Sequence, residues 1–213
     1  MGDLVESEGS ADVAALHARF NQVLEQQNRA AGTRIVSPLT ITLGDEFQGI
    51  TRSLAAAFEI ARHVRFDLME ASVECRFAIG VVTLKTPLNP NRAWNMMGPG
   101  LATTRERLNE KRSDRLYRFI LPDAPIIENL LEASAASLTA IERGWTETQR
   151  RDIEALLGGQ STAEVARHRH VSPRSVYKVR SSGNFELYDL HLHTIRTTLQ
   201  ALDRQFGLEE AAT

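Results

Sequence analysis

Two short stretches place carboxylates where apolar patterning breaks off. In TLGDEFQGIT, residues 42–51, an alternating run through Leu39, Ile41 and Leu43 ends at Gly44-Asp45-Glu46, and apolar character resumes at Phe47. In GDLVES, residues 2–7, a second Gly-Asp pair stands beside apolar residues, ahead of a helical pattern. Two carboxylates held close repel each other unless a proton or a cation intervenes. If residues 2–6 and 39–43 are neighbouring strands, Asp3 and Asp45 converge at one sheet edge as a Mg²⁺ site. Glu46 would be a third ligand or would turn to solvent. After Asp3 the small polar run ESEGSADV leads into a helix N-terminus, where backbone amides can hold phosphate, and Ser7 and Ser10 are the side chains offered there. Taken alone, an acidic turn is an ordinary solvated loop tip, so the metal reading depends on the pairing.

A second chemistry belongs to the C-terminal third. STAEVARHRHVSPRSVYKVRSSG, residues 161–183, reads as two short helices joined by a tight turn, with Ala163, Val165 and Ala166 packing the first and Val176 and Val179 the second. Ser172 is the expected cap of the second helix, and Pro173 occupies its first position, where a missing N–H costs nothing. The stretch holds five basic residues and one acidic residue, a local net of +4 in a chain whose total is -2. Segregated positive charge on a recognition-type helix is what phosphate contact requires, with side chains left to read base edges. Arg174, Ser175, Tyr177, Lys178 and Arg180 are the residues this helix would present to DNA. The alternatives are a helical hairpin with a solvated basic face, or a dimerisation element. His170 stands where a turn glycine is usual, so a left-handed backbone there would be mildly strained.

These residues need elements to carry them. Val13, Leu16, Phe20, Val23 and Leu24 make a helical stripe over 11–29, with Ser10 as the expected cap and Gly32 beyond the end. A second helix carries Leu54, Phe58, Ala61, Val64 and Leu68, capped by Ser53. Val73, Cys75, Phe77, Ile79 and Val81 alternate as the clearest strand. KTPLNPN, 85–91, reads as loop, ATTRERLNEKR, 102–112, as helix, and RLYRFIL, 115–121, as a short strand. From residue 122 the pattern turns helical, first through Ile126, Leu130, Leu138 and Ile141. A helix capped by Thr146 and Gln149 follows, with Ile153, Leu156 and Leu157 on its apolar face and Gly158-Gly159 closing it. A closing helix through Phe185, Leu187, Leu190 and Leu192 would pair two subunits or cover the preceding helices.

The bulk numbers bound the rest. A chain of 213 residues with 42% hydrophobic and 24% charged side chains is an ordinary globular composition of one large or two small domains. The near-neutral net charge excludes a globally basic nucleic-acid coat but not a local patch. Cys75 is the only cysteine, which excludes an intrachain disulfide and a cysteine-based zinc site. It is read as a small core residue. His191 and His193 lie two apart and cannot share an ion on a helix. His17 and His63 lack a partner pattern, and Trp94, Met96 and Met97 are read as packing residues. No apolar run is long enough for a membrane span, and the N-terminus shows no secretory signal, so a cytoplasmic protein is expected.

GDLVES, TLGDEFQG, RFAIGVV, GPG…TTRERL and WTETQRRDIEALLGGQSTAEVA…VSPRSVYK, in this order across nearly the whole chain, resemble the SatD family. The resemblance implies a first half like the palm-type, ferredoxin-like domain of nucleotidyl and diguanylate cyclases. There an aspartate after the first strand and one in the following hairpin bind two metals and a nucleoside triphosphate; Asp3 and Asp45 match, with Glu46 adjacent. The helix that offers Asn and Arg to phosphates in those enzymes has Arg105 and Arg107 here, and its first Asn is Asn109. Asp3 would end a strand, yet only Met1 and Gly2 precede it, too few for a central strand of usual length. A true start upstream of the given one is therefore expected.

The resulting expectation is an α+β protein. Residues 1–122 form a ferredoxin-like, cyclase-palm-like domain, and 123–213 an all-helical domain, with or without a wing, holding a helix-turn-helix at 146–183. Its expected role is DNA-binding regulation. The metal residues are Asp3, Asp45 and Glu46 with Mg²⁺, and the nucleotide or phosphate residues are Ser7, Ser10 and Arg105. Expected partners are DNA, a nucleotide and a second copy of the chain. The alternatives are an active metal-dependent nucleotidyl-transferring enzyme and a purely structural module.

Overall fold

The computed structural model describes residues 1–5, 12–110 and 115–208. Among them the fold is α+β, with five strands in one mixed sheet and eight α-helices. The strands are β1 (Gly2–Leu4), β2 (Ile35–Leu43), β3 (Glu46–Thr51), β4 (Cys75–Gly80) and β5 (Tyr117–Ile120). The helices are α1 (Val13–Ala31), α2 (Leu54–Met69), α3 (Leu101–Leu108), α4 (Pro125–Arg143), α5 (Glu147–Leu157), α6 (Thr162–His168), α7 (Pro173–Ser182) and α8 (Phe185–Gln205). Two compact units result: Met1–Glu132 together with Thr197–Thr213, and Ala133–Arg196.

In the first unit the sheet order is β2-β3-β1-β4-β5. β1 is antiparallel to both neighbours, β2 and β3 form an antiparallel hairpin, and β5 runs parallel to β4. One face carries the aromatic core. Phe47 meets Phe20 of α1 and Phe77 edge-on, Phe77 stacks on Tyr117 at 5.2 Å between centroids, and Phe58 of α2 lies 5.4 Å from Tyr117. The period-2 alternation of Cys75, Phe77 and Ile79 therefore buries one side of β4 against α2, as the pattern predicts. α3 packs against β4 and β5. A Cβ at Gly80 would fall 2.7 Å from Thr104 Oγ1, so glycine is what lets α3 approach this closely.

Caps set the helix starts. Ser53 accepts from the Ala56 N–H, as expected. α1 is capped instead by Asp12, whose carboxylate accepts from the Ala15 N–H at 2.9 Å, while Ser10 lies outside the described residues. The buried Asp203 of α8 accepts from the Leu54 and Ala55 N–H groups at 2.6 and 3.1 Å, placing a negative charge at the N-terminus of α2.

The second unit is helical, and no strand follows Ile120 among the described residues, so no β wing flanks these helices. α4 shows its apolar residues differently from the expected stripe. Ile126 and Leu130 are 75% and 64% exposed, and the buried apolar positions are Leu131, Ala135 and Leu138. At its N-terminal end the buried stripe runs one residue out of phase with the expected one. Thr146 and Gln149 form the expected capping box on α5, and Ser161 with Glu164 forms a second one on α6. Trp145 packs on Tyr188 at 4.7 Å and donates its indole N–H to the Gly183 carbonyl at 2.7 Å. Tyr188 donates its hydroxyl to Glu142 at 2.8 Å, so this buried carboxylate is partnered.

Candidate functional site

The acidic edge forms because cross-strand partners share a face of the sheet. Asp3 stands opposite Glu46 on one side and opposite Arg76 on the other. Asp45 sits in the two-residue loop between β2 and β3, after Gly44, whose φ of +56° suits the first position of a tight hairpin turn. Its carbonyl accepts from the Leu4 N–H at 3.2 Å, which ties the loop to β1. The hairpin thus brings Asp3, Asp45 and Glu46 to one end of the sheet, and α3 brings Arg105 to them.

Guanidinium groups already engage two of these carboxylates. Arg76 Nε lies 3.1 Å from Asp3 Oδ2, with Asp3 only 5% exposed. Arg105 Nη2 lies 3.7 Å from Glu46 Oε2. Among the described residues, no group of three or more His, Cys, Asp or Glu side chains is arranged to hold a metal ion. A divalent-metal centre needs carboxylate oxygens free to converge on the ion. The donors here do not fit that requirement, since Asp3 and Glu46 already pair with arginines. Ser7 and Ser10, read as phosphate-binding, lie outside the described residues. Sequence reasoning misses Arg76, whose one signal is a lone cation on the polar phase of the otherwise apolar strand CRFAIG.

Burial governs the titration of groups beside this edge. The Met1 amine donates to the Ala78 carbonyl at 2.8 Å, and burial pulls its pKa down to about 6, opposed by Cys75 and reinforced by Arg105. Burial pushes the Cys75 thiol well above its ordinary range, in keeping with an inert core cysteine. A cavity of about 150 Å³ opens past Met1 between β3 and β4, lined by Gly49, Ile50, Ala78, Ile79 and Thr104 among others. A separate ionic cluster closes the β5 side. Glu132, fully buried, accepts from Arg118 Nε at 3.1 Å, Arg115 Nη1 at 2.9 Å and the Phe119 N–H at 3.2 Å.

In the second unit α6 and α7 pack through Val165, Ala166 and Val176, with Val171 and Leu156 beside them. Ala163, expected in that core, is exposed. His170 adopts φ +54°, the left-handed conformation that is mildly strained for a residue other than glycine. Ser172 holds the N-cap position of α7, but its side chain accepts from no backbone N–H of the helix, and its hydroxyl meets Ser175 Oγ at 3.2 Å instead. Arg169, in the turn, pairs with the buried Asp152 of α5.

The five residues expected to meet DNA lie on α7 in unequal surroundings. Arg174, Tyr177 and Lys178 are exposed, and Ser175 is half-buried. Arg174 and Lys178 make no ion pair among the described residues and border a shallow concavity with Ser172, Ser175 and Tyr177. Arg180 instead pairs with Glu186 of α8 at 2.9 Å and lies over the Phe185 ring at 4.7 Å. His191 and His193 are on α8, so their spacing keeps them on different sides of a helix. No helix of the described residues is long and apolar enough to cross a membrane.

Comparison with known proteins adds one match. No curated protein and no solved structure matches the chain. The family model described as SatD family matches residues 1–188, most of the 213-residue sequence and both compact units in large part. The chain therefore belongs to the SatD family.

Proposed function

We propose that this protein is a DNA-binding regulator in which α5, α6 and α7 form a helix-turn-helix and α7 enters the major groove. The observation that carries this reading is the exposed face of α7. Arg174, Tyr177 and Lys178 project from a short helix whose opposite side is fixed by Val176 against α6. The left-handed residue His170 shapes the turn between α6 and α7, and the Arg169–Asp152 pair ties that turn to α5, the rigidity that reading a groove needs. Arg174 and Lys178 contact phosphates or guanine edges, and Ser175 and Tyr177 add polar contacts.

The sheet unit serves beside it as a ferredoxin-like, palm-like domain. Its support is the order β2-β3-β1-β4, with β1 antiparallel to both neighbours and α1 and α2 as the crossovers. In this reading it is the unit that senses a nucleotide, with Arg105 as the cation that α3 brings to the acidic edge.

Fluorescence anisotropy with a labelled duplex, measured over a salt series, tests the DNA reading. Binding should weaken steeply as salt rises, because neutralised phosphates release counterions. An unmodified protein that shows no salt-dependent binding to any duplex overturns it.

A further inference from the structure

The acidic edge of the sheet is closed by cations of its own chain. Glu46, Asp3 and Arg76 form a cross-strand row on β3, β1 and β4, and Arg105 reaches Glu46 from α3. Asp3 and Arg76 are both largely withdrawn from water, at 7% and 17% side-chain exposure. A divalent ion that took Asp3 Oδ2 would have to displace Arg76 and leave a buried guanidinium without its nearest carboxylate, an unfavourable exchange. Arg76 is also fixed by strand register, because its Cα pairs with that of Asp3, so it cannot leave by a loop movement.

We propose that the guanidinium groups of Arg76 and Arg105 stand in the place of divalent cations at this edge. The Asp3–Asp45–Glu46 end of the sheet is then an ion-paired structural row, not a metal centre for nucleotidyl transfer. The carboxylates remain necessary in a different role, since they hold Arg76 and Arg105, which fix β4 and α3 against β1 and β3. The row and the DNA reading are independent, and either can fail without the other.

Manganese binding followed by electron paramagnetic resonance, with thermal denaturation at constant ionic strength, decides it. The unmodified chain should show no saturable Mn²⁺ binding at millimolar ion and no shift in Tm with Mg²⁺ or Mn²⁺ beyond the salt control. Arg76→Met, which keeps the side-chain volume and removes the charge, should gain saturable Mn²⁺ binding and a rise in Tm with the ion. Adding Asp3→Asn to that variant should remove both gains. Saturable Mn²⁺ binding by the unmodified chain that is lost in Asp3→Asn overturns the proposal. An Arg76→Met chain that folds and still binds no Mn²⁺ overturns it as well. Should Arg76→Met fail to fold, the comparison of the unmodified chain with Asp3→Asn decides alone.

Discussion

Lys178 and Arg180 lie two residues apart on α7 and meet different surroundings. Lys178 is exposed, whereas Arg180 is held by Glu186 and the Phe185 ring. A cation that neutralises a DNA phosphate contributes about 0.9 to the slope of log K against log salt. Lys178→Ala should therefore weaken binding across all duplexes and lower that slope by about 1. Arg180→Ala should leave the slope near that of the unmodified chain, because its carboxylate partner must first be given up. Its effect should fall instead on the junction of α7 and α8, where a solvent-exposed pair is worth about 0–1 kcal/mol. Salt-slope analysis of the two variants by anisotropy, with urea denaturation of each, separates these roles. Equal loss of slope in both would place Arg180 on phosphate too. The sequence could not make this distinction, since Glu186 lies outside the charged stretch and meets Arg180 only through the turn at Gly183-Asn184.

At the scale of elements, end signals were easier to read than faces. Thr146 with Gln149 and Ser53 cap the helices they were expected to cap, because capping is a contact between residues three apart. The left-handed turn at His170 was equally local. Tertiary choices were harder to see. Asp12 caps α1 where Ser10 was expected, and α4 turns Ile126 and Leu130 outward, since either phase of a short apolar run satisfies the helical period. The approach of the Asp45 loop to β1 was legible from two Gly-Asp pairs, while the placement of Glu46 and Arg76 opposite Asp3 became visible only through strand register. Asp203 is the clearest long-range case, reaching the first N–H groups of α2 from 149 residues away in sequence. Asp203→Ala would leave two donors at a buried helix end without that acceptor, and unsatisfied buried groups cost about 1–3 kcal/mol each. The urea midpoint should fall correspondingly at an unchanged m-value. Asp203→Asn, which keeps an acceptor oxygen but not the charge at the helix terminus, should lose less. An unchanged midpoint in Asp203→Ala would mean that these N–H groups find other partners.

At the scale of the whole molecule, charge is distributed so that DNA affinity would depend on how many copies bind. The net charge is -2, and the basic stretch at 161–183 carries a local net of +4, so in the DNA-binding reading attraction to phosphates would be concentrated on this stretch. Within that stretch Arg169 and Arg180 are already paired, which leaves Arg167, Arg174 and Lys178 as its exposed cations. Three phosphate contacts predict a slope of about -2.7, or about a 40-fold loss of affinity between 50 and 200 mM salt. Two copies on one duplex would double the slope to about -5.4 and require half-sites about one helical turn apart. The salt slope and the stoichiometry on the same duplex thus discriminate between single and paired binding. A slope near -2.7 with one chain per duplex identifies a monomeric reader. A slope near -5.4 that collapses when half a turn is inserted between half-sites identifies a symmetric pair, because the insertion rotates one half-site to the opposite face of the DNA. A slope near zero would remove α7 from the phosphate backbone altogether, whatever the stoichiometry.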